Sequence, residues 1–367
     1  VYAPQYEFYF PQALNWIALV DFNCDGKKDF FTSTPYNFIT AYKNISAGSI
    51  PGFALEKSEV RFNNSSIYAE SVNIPMITDI DEDGDTDILV YSSLLGTLEF
   101  YKNISIESFN ICDSLKYQKA NSCWGEFSVG SDCNLPIYTQ VSCLTIRVGD
   151  NGNKRLMHQG FSGLPIDLND DGTLDLLVGD VGCSNLFALT NSGSNTVGKI
   201  TNVNPYYPTN DPVNINTFPA AYYEDVNFDG TKDLLVSPNL FNNVDRNVNF
   251  TSSLWYYQNK GKNSLPVLEL KSRGFLQNDM IDIGEEAYPV FLDYDNDNDL
   301  DLLISNRENK YNDGYFSSIF LFENTGNKNT PGFQLKDTNF LDFLPLKYTY
   351  FKPRFEDLNN DGKVDLY

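Results

Sequence analysis

Aspartate and asparagine recur at alternate positions in six short segments, a spacing suited to caging a cation in oxygen atoms. The segments are DFNCDGKKD from Asp21, DIDEDGDTD from Asp79, DLNDDGTLD from Asp167, DVNFDGTKD from Asp225, DYDNDNDLD from Asp293 and DLNNDGKVD from Asp357. All share the form D-x-[D/N]-x-D-[G/N]-x-x-D. Numbered one to nine, the odd positions are the candidate ligands. They are Asp21, Asn23, Asp25, Lys27 and Asp29 in the first loop, and Asp79, Asp81, Asp83, Asp85 and Asp87 in the second. The third has Asp167, Asn169, Asp171, Thr173 and Asp175, and the fourth Asp225, Asn227, Asp229, Thr231 and Asp233. The fifth has Asp293, Asp295, Asp297, Asp299 and Asp301, and the sixth Asp357, Asn359, Asp361, Lys363 and Asp365. Side-chain oxygens from positions one, three, five and nine, with the backbone carbonyl of position seven, converge in a tight loop on a site for a hard cation, and Ca2+ is the expected ion at up to six sites. Glycine at position six permits a positive φ, and Asn298 replaces it with the residue that next best tolerates that conformation. The second and fifth loops carry aspartate at position three and are expected to bind most tightly.

Other readings of the loops fit less well. An EF-hand needs flanking helices and a bidentate Glu at position twelve. That position is Thr32, Val90, Val178, Val236 or Ile304, each in an apolar strand-like run. A calcium-binding β-helix needs dense glycine-rich nonapeptides, which the chain lacks. Solvated Asp/Asn turns explain one copy, but not six at matched positions.

The segments around the loops show what must hold them. Each loop follows a candidate strand such as WIALVD or YPVFLD and runs into an apolar stretch such as DILVY, DLLVG or DLLIS, the length of a buried strand. A second element recurs in AYKNISAGSIPGFALEK, LWYYQNKGKNSLPVLELK and IFLFENTGNKNTPGFQLKD, where an aromatic strand ends in a turn and another strand begins near a proline. One unit therefore reads as a four-stranded antiparallel meander, and repeated meanders of this kind pack as a β-propeller. Successive loops start 58, 88, 58, 68 and 64 residues apart. The long interval places a Cys-rich insertion at residues 104–160 of the second blade, with Cys112, Cys123, Cys133 and Cys143 expected to form at least one local disulfide. The rest of residues 1–367 reads as a single all-β domain. Net charge is −23, about half of which six divalent ions would cancel; the remainder argues against nucleic acid or an anionic membrane as partner.

The loop between two strands, repeated at this spacing, resembles the FG-GAP/VCBS repeat of integrin α-subunit propellers and bacterial surface proteins. ENTGNKNTPGFQL is especially similar to the bacterial VCBS type. The resemblance covers nearly the whole chain outside the insertion. It implies a seven-bladed propeller, calcium in the loops and an extracellular role in adhesion or recognition. The chain stops at Tyr367, so it reads as a fragment whose last part is missing, and YEFYF (Tyr6 to Phe10) alternates like a closing strand.

No apolar stretch approaches a membrane span. Clustered cysteines fit an oxidising compartment, so secretion or surface display after removal of a signal peptide is expected. Cysteines about ten residues apart, without C-x-x-C and with His158 as the only histidine, do not suit zinc. A Ser-His-Asp or Cys-His centre would need His158, which no nucleophile motif accompanies, and the conspicuous carboxylates are assigned to metal; no enzyme is expected. WYYQN and AAYYED read as packing residues, whereas PYYP (Pro205 to Pro208) lies in a loop and is the better candidate for contact with a ligand. The sequons at Asn44, Asn103 and Asn249 carry little weight in an Asn-rich chain. The expected function is a calcium-binding surface module that recognises a protein or glycan. The alternatives are a lectin-like propeller, a polysaccharide-active enzyme or its accessory domain, and cargo of a bacterial outer-membrane export machinery.

Overall fold

Six times the chain leaves a strand, makes an acidic loop and returns antiparallel in the same register. The residue before position one pairs with the aspartate at position nine: Val20 with Asp29, Thr78 with Asp87, Ile166 with Asp175, Glu224 with Asp233, Leu292 with Asp301 and Glu356 with Asp365. The computed structural model describes residues 4–93, 95–129, 133, 137–139, 160–240, 243 and 246–367. Cys143 and His158 lie outside them.

The protein is all-β. Strands Ile17–Val20, Asp29–Ser33, Ile39–Asn44 and Phe53–Lys57 form the first sheet in chain order. Phe161–Ile166, Asp175–Asp180, Phe187–Asn191 and Ile200–Asn204 form the third, and Pro219–Glu224, Asp233–Pro238, Trp255–Asn259 and Leu268–Ser272 the fourth. The fifth joins Glu285–Leu292, Asp301–Tyr311, Ile319–Asn324 and Phe333–Asp337, with Gly314–Phe316 paired to the end of its second strand. Phe355–Glu356 and Asp365–Leu366 make a short sixth pair.

The apolar runs after the loops are continuous because their sheets are covered on both faces. In the second sheet Leu89 and Tyr91 join a core with Phe161, Leu176 and Phe187 of the third, whereas Ile88 and Val90 join a core with Phe31 and Ala41 of the first. In the fifth sheet Leu302 and Ile304 pack with Phe320 and Phe322, and Leu303 packs on the other face with Ile319 and Leu321. Alternate side chains thus serve opposite faces, and a polar residue at either would be buried. The first strands of neighbouring sheets also approach closely. Ile74 N–H donates to Phe161 O at 3.1 Å, and Ser162 Oγ donates to Pro219 O at 2.7 Å. Gly179 allows the second approach, since a Cβ there would lie 1.6 Å from the Pro219 carbonyl oxygen.

The chain divides into two compact units: Val1–Asn242 with Tyr257–Lys271, and Asn243–Tyr256 with Ser272–Tyr367. Asn243–Tyr256 belongs with the second unit through polar anchors. Asn243 Nδ2 donates to Glu285 at 2.7 Å, Arg246 pairs with the buried Glu308 at 2.8 Å, and Tyr315 Oη donates to Val248 O at 2.8 Å.

The second sheet changes the reading of residues 104–160. Its inner strands are Met76–Thr78, Asp87–Ser92 and Thr97–Asn103, and its fourth is Tyr117–Trp124, from within the expected insertion. A short helix, Ser105–Phe109, precedes that strand, and the hairpin Arg61–Phe62 and Ser65–Ser66 extends the edge beyond it. Tyr117 is 3% exposed and its hydroxyl donates to Thr86 O at 2.9 Å, so this strand is part of the blade. Phe127–Val129 then pairs with Ile137–Thr139. The described disulfides are not local to the segment either. Cys112 bonds to Cys24 in the first acidic loop, and Cys133 to Cys183 after the third sheet's second strand. Cys123 is also disulfide-bonded.

YEFYF is not a strand: Pro4–Tyr9 form a 3-10 helix, and Phe10 N–H turns back to Glu7 O at 3.2 Å. Proline fixes a φ compatible with a first helical turn, and five aromatic-rich residues are too short a window for alternation to decide. Trp255 and Tyr257 of WYYQN are buried at 7% and 0% exposure, in keeping with packing. Tyr206 of PYYP is 50% exposed.

Candidate metal centre

The six loops share one hydrogen-bonded scaffold. The position-one aspartate accepts the N–H of position six in all of them, at 2.8 to 3.2 Å. The position-five aspartate accepts the N–H of position seven at 2.8 to 3.1 Å. Position six is left-handed throughout, with φ from 71° at Asn298 to 99° at Gly84, as the sequence suggests. Position four is left-handed as well. Cys24, Glu82, Asp170, Phe228, Asn296 and Asn360 have φ between 57° and 64°. No glycine marks that position, so the sequence gives little warning of it.

Position nine has a second duty. One oxygen of Asp29, Asp87, Asp175, Asp301 and Asp365 accepts the N–H of position two at 3.0 to 3.2 Å. The other oxygen of Asp29, Asp87, Asp175, Asp233 and Asp301 accepts the N–H of an asparagine ending the sheet's third strand, at 2.7 to 2.9 Å. Those asparagines are Asn44, Asn103, Asn191, Asn259 and Asn324. Each turns its own side-chain oxygen onto the N–H two residues on, bracing the turn that follows, which after Asn103 leads into the helix Ser105–Phe109. The recurring K-N, T-N, Q-N and E-N dipeptides were the available signal. Asn103, first residue of a sequon, is fully buried, and its side-chain N–H donates to Ser114 O at 3.1 Å.

Among the described residues, three groups of carboxylates are each close enough to hold a metal ion. Asp79, Asp81 and Asp87 place oxygens within 4.8 Å of one another, as do Asp83, Asp85 and Glu107, and Asp293, Asp295 and Asp297. They lie in the second and fifth loops, the two with aspartate at position three. In the first, third, fourth and sixth loops asparagine brings an amide oxygen to that position, alongside carboxylates at one, five and nine. Lys27, Thr173, Thr231 and Lys363 at position seven can offer only the backbone carbonyl foreseen for them, or the Thr hydroxyl; Asp85 adds a carboxylate of its own. Glu107, from the helix Ser105–Phe109, was not foreseen.

Oxygen satisfaction tests whether a cation fits. Asp79 Oδ1, Asp81 Oδ1, Asp85 Oδ1 and Asp299 Oδ1 are buried and accept no hydrogen bond. Buried carboxylate oxygens without donors are costly, and a hard cation is the partner an all-oxygen set accommodates. The residues present fit such an ion. Bound there, it would supply positive charge that holds the loop carboxylates together.

Without that charge the carboxyls are uneasy. Burial raises Asp79 and Asp81, lifts Asp85 to about 6, and lifts Asp87 to about 8 against the pull of the Asn103 amide. Asp175 is likewise pushed up to about 6 by burial. Burial and the neighbouring Asp297 raise Asp295 and Asp299. Asp83 differs: burial pushes it up, but the Lys102 ammonium and the Asp85 amide hold it below the usual carboxylate range.

Among known proteins, no family model matches this chain and no curated sequence is similar enough to stand as a relative. Among the described residues no helix is long and apolar enough to cross a membrane.

Proposed function

We propose that the protein is a calcium-stabilised β-propeller of the FG-GAP/VCBS type, acting outside the cell as an adhesion or recognition module. One observation carries this reading. The same nine-residue loop joins an antiparallel strand pair in six of the described sheets, with the same register, the same left-handed positions and the same backbone amides turned onto its carboxylates. The carboxylates at positions one, five and nine also brace the turn, but a turn built only for its shape would not leave oxygens of Asp79, Asp81, Asp85 and Asp299 buried without a donor. Sheets covered on both faces, with first strands side by side, support the propeller arrangement. The two described disulfides favour an oxidising extracellular setting, where millimolar calcium suits several sites of modest affinity. Calcium here organises the scaffold, and the exposed loops offer the recognition surface. The partner is a protein or glycan at a cell surface.

Native mass spectrometry after calcium dialysis tests the metal half of the proposal, and binding of the labelled chain to cells and glycan arrays tests the other. Several bound calcium ions are expected, with surface binding that chelator weakens. A chain that retains no calcium, or that turns over a polysaccharide, would overturn this reading.

A further inference from the structure

Among the described residues, the second loop differs from the rest in holding a lysine ammonium against its candidate ligands; in the third loop Lys262 pairs only with Asp170, at position four. Lys102, on the strand Thr97–Asn103, sends its ammonium into the loop, hydrogen-bonding Asp81 and lying 2.9 Å from Asp83 and 2.6 Å from Glu107. It therefore spans both groups of carboxylates at this loop, Asp79–Asp81–Asp87 and Asp83–Asp85–Glu107. Three oxygens of these groups, on Asp79, Asp81 and Asp85, stay buried without a donor, and Asp85 is only 2% exposed. One ammonium does not satisfy this cage.

The fifth loop supplies a natural control. Lys102 immediately precedes Asn103, whose N–H caps Asp87; the residue in the same place before Asn324, which caps Asp301, is Glu323. Glu323 points no positive charge at its loop, adds to the field raising Asp295, and is itself paired with Lys336 at 2.7 Å. The two most acidic loops thus carry opposite charges at one equivalent position.

We infer that Lys102 is a tethered competitor for the cation site of the second loop, holding Asp81 and Asp83 when no divalent ion is bound and yielding Asp81 when one arrives. The inference rests on the calcium reading of the loops. The lysine has somewhere to go, because it also lines an open groove with Glu107, Ser108 and Gln118. A site whose ligands are engaged part of the time by an internal cation binds with an apparent affinity reduced by the fraction free, and any ammonium left nearby repels the ion. The second loop is therefore weaker than its carboxylate count suggests, and it fills at higher calcium than the fifth. In exchange it keeps its shape when calcium is low.

The test is calorimetric titration of calcium into the full chain as wild type, Lys102→Gln, Lys102→Gln with Asp79→Asn, and Glu323→Lys. Lys102→Gln is expected to tighten one site by about tenfold, and adding Asp79→Asn should abolish that gain. Its melting temperature in chelator should fall. Glu323→Lys should weaken one site by a similar factor, and it decides the matter if Lys102→Gln does not fold. Unchanged or weaker binding in Lys102→Gln, or an unaffected Glu323→Lys, overturns the inference while leaving the calcium reading intact. Absence of calcium binding in every form overturns both.

Discussion

Asp175→Ala separates the framework duty of position nine from metal binding. Asp175 is 1% exposed; its two oxygens accept the N–H groups of Leu168 at 3.2 Å and Asn191 at 2.8 Å. Alanine orphans both donors, each costing about 1–3 kcal/mol when buried. Relief of the carboxylate's own burial trims the upper end, leaving a loss of roughly 2–4 kcal/mol. This loss needs no metal, so it should appear in urea unfolding with chelator present. Asp171→Ala is the comparison. Asp171 is exposed and accepts the Thr173 N–H at 2.8 Å, and its loss in chelator should stay below about 1 kcal/mol. In calcium the second variant should lose the added stability its loop confers. If Asp175→Ala cost no more than Asp171→Ala in chelator, the framework assignment would be wrong.

Three further outcomes are expected. In chelator the protein should lose stability as pH rises from about 4 to about 8, because burial lifts Asp85 and Asp175 to about 6 and Asp87 to about 8 in the fold. The folded state then holds more protons than the unfolded one, so stability present at low pH is lost through those values; melts at several pH values would show it, and a rise instead would contradict it. Calcium should flatten or reverse that slope. Asp295→Asn should lower calcium affinity at the fifth loop yet cost less stability in chelator than in calcium, as paired titrations and melts would show; equal losses would count against a metal cage. Non-reducing peptide mapping should recover Cys24 linked to Cys112 and Cys133 linked to Cys183, and a Cys112–Cys133 peptide would refute the described pairing.

The loops were legible in the sequence because their chemistry is local. Nine residues with acids at fixed offsets and glycine at a left-handed position specify their own geometry, and the apolar run that follows announces a strand buried on both faces. What stayed hidden depends on contacts distant in the chain. Tyr117–Trp124 completes the second sheet after a helical detour, which no spacing rule places. The partners of Cys112 and Cys133 lie 88 and 50 residues away, in loops brought close only by sheet packing. Lys102 and Glu107 reach the second loop from a strand and a helix whose sequences carry no metal signature. The asparagine capping position nine did recur, but its role shows only once its amide is seen to meet the carboxylate.

The central claim is that cations held by these loops stabilise the fold, and thermal unfolding in chelator followed by calcium addition tests it most directly. Each site saturated a hundredfold above its Kd contributes about 2.7 kcal/mol, so several sites should raise the melting temperature by many degrees, in proportion to the logarithm of calcium concentration. Identical melting curves from chelator to millimolar calcium would contradict the account.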